Sequence, residues 1–144
     1  MKLGDARARE TREWLAKAAE DLASARDLIG TGHFGNALFF CQQAAEKSLK
    51  AFLTWHGRVF QRTHDLEQVG EACCAIDGTL ATLVEQADVL SDYAWKLRYP
   101  GTPYTPEREE AEAMLGLAGR VFLEVQSRLP LETRIAEDHG HHQS

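Results

Sequence analysis

The sequence lacks the features that mark membrane-spanning, secreted and metal-binding proteins. No apolar run approaches the roughly 20 residues that a bilayer-spanning helix needs. Residues 1–7 have no apolar stretch behind their positive charges, so we expect no signal peptide. The three cysteines, Cys41, Cys73 and Cys74, are an odd number at spacings that match no zinc motif. We therefore expect a cytoplasmic protein with reduced thiols, no membrane association, no metal and no cofactor.

Positive charge is also scarce, and it is unevenly distributed. The chain has 16 lysines and arginines against 22 aspartates and glutamates, a formal net charge of −6, which excludes a uniformly basic protein that coats nucleic acid. Residues 47–64 and 93–106 nevertheless contain no acidic residue. Their cations are Lys47, Lys50, Arg58, Arg62, Lys96 and Arg98. If the fold brings both segments together they could hold a phosphate, although charge counting alone favours ordinary solvated side chains.

Strand patterns are almost missing, and apolar residues recur at helical spacing along most of the chain. The first helix is predicted to end at the glycines of residues 30–32. Its apolar stripe is Leu15, Ala18, Leu22, Ala25 and Ile29. A second helix is predicted from near His33 to about Trp55, and Gly57 then breaks it. Small residues beside its stripe would let another helix approach closely; they are Ala37, Ala44, Ser48 and Ala51.

The second half of the chain predicts two further helical regions. The third region is interrupted at residues 77–78 and ends in the proline-containing residues 98–103. Thr105 is predicted to be the N-cap of the last helix, with Pro106 at its first helical position, and Pro130 stops that helix.

These patterns predict an all-α protein that folds as an antiparallel bundle of four to five helices. A chain of 144 residues fits one domain, which we expect to cover residues 1–130. Residues 131–144 are polar and lack apolar periodicity, so they are predicted to be a disordered tail.

Four short motifs follow one another along these helices and resemble a known family. The first helix contains Trp14-Leu15-x-x-Ala18-x-x-Asp21-Leu22-x-x-Ala25, and residues 42–53 read QQAAEKSLKAFL. His64-Asp65-Leu66 and Arg98-Tyr99-Pro100 come further on. Their order and spacing resemble the HEPN domain (higher eukaryote and prokaryote nucleotide-binding) over roughly residues 10 to 129.

The resemblance implies a fold, partners and an activity. HEPN domains are small helical bundles that commonly form homodimers, and many prokaryotic ones are encoded beside a minimal nucleotidyltransferase as a toxin–antitoxin pair. Catalytic members are metal-independent ribonucleases that carry an arginine followed four to six residues later by a histidine. In such a reaction an RNA 2′-hydroxyl attacks the neighbouring phosphate, the histidine handles a proton, and the arginine stabilises the developing charge.

This sequence departs from the catalytic pattern, because the residue six positions after Arg98 is Tyr104. No histidine lies between Arg98 and the end of the last helix. The candidate nucleotide- or phosphate-binding residues are Arg98, Tyr99, Tyr104, Lys47 and Lys50. The candidate catalytic residues, should the protein be a ribonuclease, are Arg98, Tyr104 and His64. Lys50 also follows Glu46 by four residues, which predicts a modest surface ion pair.

Three functional hypotheses follow. The first is a HEPN-type protein that binds a nucleotide or RNA and acts as the partner of a minimal nucleotidyltransferase. The second is a metal-independent ribonuclease toxin, which the missing histidine disfavours. The third is a purely structural helical module that assembles a larger complex.

Overall fold

A computed structural model describes residues 3–60, 66–98, 100 and 104–135, and for residues 3, 94, 95, 97 and 98 it describes the backbone alone. Across these residues the regular structure is helical, which confirms the predicted all-α bundle. The helices are α1 (Leu3–Gly30), α2 (Phe34–Trp55), α3 (Leu66–Ile76), α4 (Ala81–Arg98) and α5 (Arg108–Ser127). Short 3₁₀ turns lie at Gly78–Leu80 and Leu131–Thr133. None of the helices in these ranges has both the length and the apolarity that crossing a membrane requires.

Helix α2 lies at the centre of the bundle, where it packs against α1, α3, α4 and α5. The small residues that predicted a close approach to α2 are all completely buried; they are Ala37, Ala44, Ser48 and Ala51. Larger side chains, including Phe52 and Phe122, fill the remaining space. The predicted stripe of α1, from Leu15 to Ile29, faces the same core.

Glycines end the first two helices at the positions that the sequence predicts. Gly32 has a φ of 84° after α1, and Gly57 has a φ of 68° after α2. A side chain with a Cβ rarely adopts this left-handed conformation, so glycine is the residue that lets the chain leave each helix there. Only three residues separate α1 from α2, and the two helices therefore run antiparallel.

The predicted start of the last helix is wrong by two residues. Glu107, not Thr105, occupies the N-cap position, with φ −101° and ψ 162°. The backbone N–H of Glu107 donates to a carboxylate oxygen of Glu110 over 3.0 Å, an interaction that stabilises a helix start three residues before the acceptor. Pro106 is buried within the connection that precedes α5.

The predicted start of the disordered tail at residue 131 is also wrong. Residues 131–135 form an ordered segment, in which Thr133 is completely buried and Ile135 packs against the core. An Nη1 of Arg12 donates to the carbonyl of Glu132 over 2.7 Å. These partners are distant in the sequence, so local apolar periodicity gave no sign of them. Residues 136–144 lie outside the described residues.

Two glycines inside helices predict opposite effects of the same substitution. A Cβ on Gly70 of α3 would lie 2.5 Å from Cγ1 of Val84, whereas a Cβ on Gly116 of α5 would meet nothing within 4 Å. Gly70→Ala should therefore destabilise the fold by about 1–3 kcal/mol through overpacking. Gly116→Ala should stabilise it by up to about 1 kcal/mol, since alanine favours a helix interior. Urea denaturation of both variants measures whether the free energy of unfolding falls for Gly70→Ala and rises for Gly116→Ala.

Val84→Ala provides the control for the Gly70 variant, because it removes the methyl group that the new Cβ would meet. Destabilisation by Gly70→Ala should be smaller in the Val84→Ala background than in the wild type. Equal costs in both backgrounds would contradict a steric clash as the cause.

Candidate functional site

Four helix ends meet at one end of the bundle, which we call the junction end. The guanidinium of Arg108, the first residue of α5, donates to the carbonyl of Ile29 in the last turn of α1 over 3.1 Å. The same guanidinium lies 5.1 Å from the ring centroid of Phe34, the first residue of α2. Tyr93 of α4 also contacts α5 here, through Glu110. The connection from α4 to α5 therefore leaves and re-enters the bundle at this end.

A carboxylate joins two tyrosines at the junction end. The hydroxyls of Tyr93 and Tyr104 both donate to Oε2 of Glu110, from 3.0 Å in the case of Tyr93. The other oxygen of Glu110 accepts the backbone N–H of Glu107. The two phenol rings lie with their centroids 6.1 Å apart. Glu110 thus fixes both tyrosines and the start of α5 through one side chain.

Lys96 completes this group, which we call the junction cluster: Tyr93, Lys96, Tyr104 and Glu110. Its Nζ lies 5.4 Å from the ring centroid of Tyr104 and 5.8 Å from that of Tyr93. An ammonium at this distance is attracted by the electron-rich face of a phenol ring. The side chain of Lys96 is exposed, so the cluster presents a positive charge to solvent beside two aromatic rings.

Hydrogen bonds and burial together shift the pKa values of the carboxyl and phenol groups in the cluster. The bond from Tyr104, followed by those from the Glu107 backbone and Tyr93, lowers the pKa of Glu110. The pKa of Tyr104 is raised, first by desolvation and then by its bond to Glu110, and the pKa of Tyr93 is raised for the same reasons. Tyr104 therefore keeps its proton at neutral pH. Its hydroxyl is a hydrogen-bond donor and is unsuited to the role of general base.

The predicted site residue Arg98 ends α4, and the predicted site residue Tyr104 lies within the α4–α5 connection. Arg98 is the last residue of α4, two positions after Lys96, and its side chain is not among those described. Two other predicted residues, Tyr99 and His64, lie outside the described residues. The backbone thus brings Arg98 to the junction end, where Tyr104 already lies.

Lys47 and Lys50 are not at the junction end. They lie 13 and 16 residues along α2 from Phe34, which corresponds to about 20 and 24 Å along the helix axis. Each of them contacts a carboxylate: Nζ of Lys47 lies 2.6 Å from Asp21, and Nζ of Lys50 lies 2.7 Å from Glu46. The structure therefore does not join these lysines to Arg98 and Tyr104, although they were predicted to share a site.

The ion pair between Glu46 and Lys50 is buried, whereas the sequence predicted a surface pair. The two side chains are 2% and 7% exposed. The rings of Trp14 and Phe60 cover the ammonium, each with its centroid 5.5 Å from Nζ. Gln42 donates to the second carboxylate oxygen of Glu46 over 3.1 Å. This pair neutralises charge inside the bundle.

Sequence reasoning missed Tyr93 and Glu110. A signal for Glu110 exists in the sequence, because an acid three residues after a polar residue at a helix start is a capping pattern. Tyr93 carries no such signal, since its role depends on how α4 pairs with α5. Within the described ranges, no three histidine, cysteine or acidic side chains are grouped so that they could hold a metal ion.

The buried ion pair predicts a strong effect on stability. Lys50→Met should destabilise the fold by about 3–5 kcal/mol, because it removes the ammonium that pairs with the buried Glu46 carboxylate. Chemical denaturation measures the loss. Glu124→Ala breaks a more exposed pair with Arg128 at the same four-residue spacing and should cost about 1 kcal/mol or less. If Lys50→Met were no worse than Glu124→Ala, burial would not be the source of the effect.

The lowered pKa of Glu110 predicts a pH dependence of stability. A carboxylate whose pKa is lower in the folded state stabilises the fold above its unfolded pKa, about 4.5, and this contribution disappears as the pH falls through the folded value. Glu110→Gln should therefore reduce the loss of stability between neutral and acidic pH. Thermal melts at several pH values measure this, with the exposed Glu112→Gln as the control. An unchanged pH profile in Glu110→Gln would contradict the prediction.

Comparison with known proteins identifies a family and several proteins that this chain resembles. Residues 11–128 match the HEPN domain family. A curated protein of Methanocaldococcus jannaschii, named "Putative toxin MJ1304", is 37% identical over 49 residues, which are 34% of this chain. The match spans only about a third of that protein's length, 32%.

Two solved structures resemble the whole helical bundle. Protein TT1696 of Thermus thermophilus is 34% identical with a TM-score of 0.73, and the match covers 83% of this chain and 98% of the other. ST0689, described as an archaeal HEPN homologue, is 24% identical with a TM-score of 0.66, covers 82% of this chain and 96% of the other, and supports the fold alone. The family match over residues 11–128, which is most of the chain, shows that the chain belongs to the HEPN domain family.

Proposed function

We propose that this chain is a HEPN protein with a toxin-like role that binds a nucleotide or RNA phosphate at the junction end. Arg98, Tyr99 and Tyr104 are the proposed ligand-binding residues. The observation that carries the proposal is the junction cluster, in which Lys96 lies exposed over two tyrosine rings within a segment that contains no acid from residue 93 to 106. Aromatic faces stack on bases and cations contact phosphate, so both parts of a nucleotide have a partner there.

The carboxylate of the cluster does not oppose this role. Glu110 already accepts hydrogen bonds from Tyr93, Tyr104 and the Glu107 backbone, and the partial positive charges of these donors partly offset the carboxylate charge. Instead, Glu110 fixes the rings on which a base would stack. Lys47 and Lys50 were candidates for the same site, but their ion pairs within the bundle favour a structural role.

The proposed partners are a second copy of the chain and a minimal nucleotidyltransferase, in a cytoplasmic toxin–antitoxin-like system. The family supports this assembly, because the HEPN domains that the motifs resemble commonly form homodimers and are often encoded beside a minimal nucleotidyltransferase. The toxin name of the Methanocaldococcus jannaschii relative supports it as well.

The second candidate is metal-independent cleavage of RNA. Arg98 would stabilise the developing charge on phosphorus, and Tyr104 or His64 would replace the missing histidine. The raised pKa of Tyr104 and its donation to Glu110 count against this tyrosine as the base, which leaves His64 as the stronger of the two. The relative's toxin name is the observation that favours this candidate.

Substitution of Arg98 should weaken nucleotide binding and leave the fold intact. Loss of one charge-assisted phosphate contact should reduce affinity for a short RNA about tenfold or more. The slope of log affinity against log salt concentration should become shallower by about one, because about one counterion fewer is released. Fluorescence anisotropy at several salt concentrations measures both. The control is Arg120→Ala, an exposed arginine of α5 that contacts Gln86 away from the cluster. Equal affinities in Arg98→Ala and Arg120→Ala would overturn the assignment.

Incubation of bulk transfer RNA with the purified chain in a metal chelator separates the two candidate functions. We expect binding without cleavage. Cleavage that disappears in Arg98→Ala would instead show a metal-independent ribonuclease with Arg98 in its site. Cleavage that persists equally in Arg98→Ala would indicate a contaminant or a different site.

A further inference from the structure

The first half of α2 lies in the longest part of the chain without charged residues. Residues 28–45 contain no aspartate, glutamate, lysine or arginine, although 26% of the whole chain is charged and 18 residues would carry about five charges at that rate. This segment is not wholly interior. Asn36 and Phe39 are exposed, Phe39 by 40%, and Phe40 and Gln43 are half-buried. An uncharged surface is therefore present on an otherwise highly charged protein.

These four residues form one surface, which we call the Phe39 face: Asn36, Phe39, Phe40 and Gln43. Helical periodicity places Asn36, Phe39 and Gln43 along the outward side of α2, with Phe40 beside them. The rings of Phe39 and Phe40 meet edge to face, with their centroids 5.5 Å apart and an interplanar angle of 81°. The face is thus an aromatic pair between two neutral amides.

The chain itself covers the same side of α2 further along the helix. Glu46 lies seven residues after Phe39, and Lys50 seven after Gln43, so both continue the Phe39 face along the helix. Both are buried, and Trp14 and Phe60 lie over Lys50. The second half of this side therefore has an intramolecular cover, and the first half is left open.

We propose that a second copy of this chain docks on the Phe39 face. The inference rests on the dimer proposed above and adds the surface through which it forms. In a twofold dimer each residue near the axis meets its own copy, so a charge there would face a like charge. Two chains of net charge −6 repel each other, and an uncharged face is where they can approach. Asparagine and glutamine carry both a donor and an acceptor, so each can pair with itself across the axis.

Other occupants fit this face less well. A nucleic acid requires cations, and the Phe39 face contains none. A strongly acidic or basic partner would need opposite charges, which are equally missing. Another exposed apolar residue, Leu123 of α5, is 46% exposed, but it lies beside the charged Arg120 and Glu124. Leu123 is therefore a less suitable docking residue than Phe39, and it serves as the matched control.

Sedimentation equilibrium of the full chain at several concentrations tests the proposal. The wild type should be a dimer, and Phe39→Glu should weaken the dimer at least about a hundredfold, because it places two carboxylates opposite each other in an apolar contact. Leu123→Glu introduces the same charge at an equally exposed apolar position and should leave dimerisation unchanged. Circular dichroism and a thermal melt verify that each variant is folded. Asn36→Glu repeats the test at a solvent-facing position if Phe39→Glu fails to fold.

The outcomes distinguish this inference from the proposals on which it rests. A wild-type monomer up to about 100 μM, where a micromolar dimer would be nearly complete, would overturn both the dimer and its surface. Persistent dimers in Phe39→Glu and Asn36→Glu would overturn the surface and retain the dimer, as would loss of the dimer in Leu123→Glu alone. RNA binding by folded Phe39→Glu reports on the junction end separately, since Arg98 and the junction cluster are unchanged in that variant.

Discussion

The enclosure of α2 by the other four helices is the constraint on which the rest of the bundle depends. From Ala44 to Leu53 nearly every residue of α2 is buried, which leaves little surface for charged side chains, yet this part of the helix carries Glu46 and Lys50. The two residues pair within the helix at the four-residue spacing, so each offsets the charge of the other inside the bundle. Small residues on the remaining sides let α1 and α5 approach, which brings the start of α5 against the start of α2 at the junction end.

The sequence was sufficient to predict the helices and their core faces, because amphipathic periodicity is a local property of the chain. The stripe of α1, the ends at Gly32 and Gly57, and the break before α4 are all present in the structure. The start of α5 was misplaced because two competing caps lie two residues apart, and the choice between them depends on where Glu110 points. The ordered segment at residues 131–135 depends on contacts with α1 and α5, which no local pattern contains.

The candidate site was predictable in part. The motif that contains Arg98 and the tyrosine six residues later predicted two residues that the structure brings to one end of the bundle. Lys47 and Lys50 were counted as available cations because a charge tally does not reveal ion pairs, and one of these pairs joins residues 26 positions apart. Tyr93 could not be found at all, since its contact with Glu110 exists only once α4 and α5 lie side by side. Most of the site contacts that could not be predicted from the sequence thus depend on how the helices pair.

The contact between Arg12 and the carbonyl of Glu132 has a consequence for the order in which the bundle forms. Its two residues are 120 positions apart, so closing this contact early would cost more chain entropy than joining helices that are neighbours in the sequence. Helices α1 and α2, separated by three residues, can pair long before. The segment of residues 131–135 therefore docks late, after α5 has packed on α2, and it is the first part expected to open again. Brief exposure of the buried Thr133 would accompany each opening and would make this segment the least protected part of the described core in hydrogen exchange.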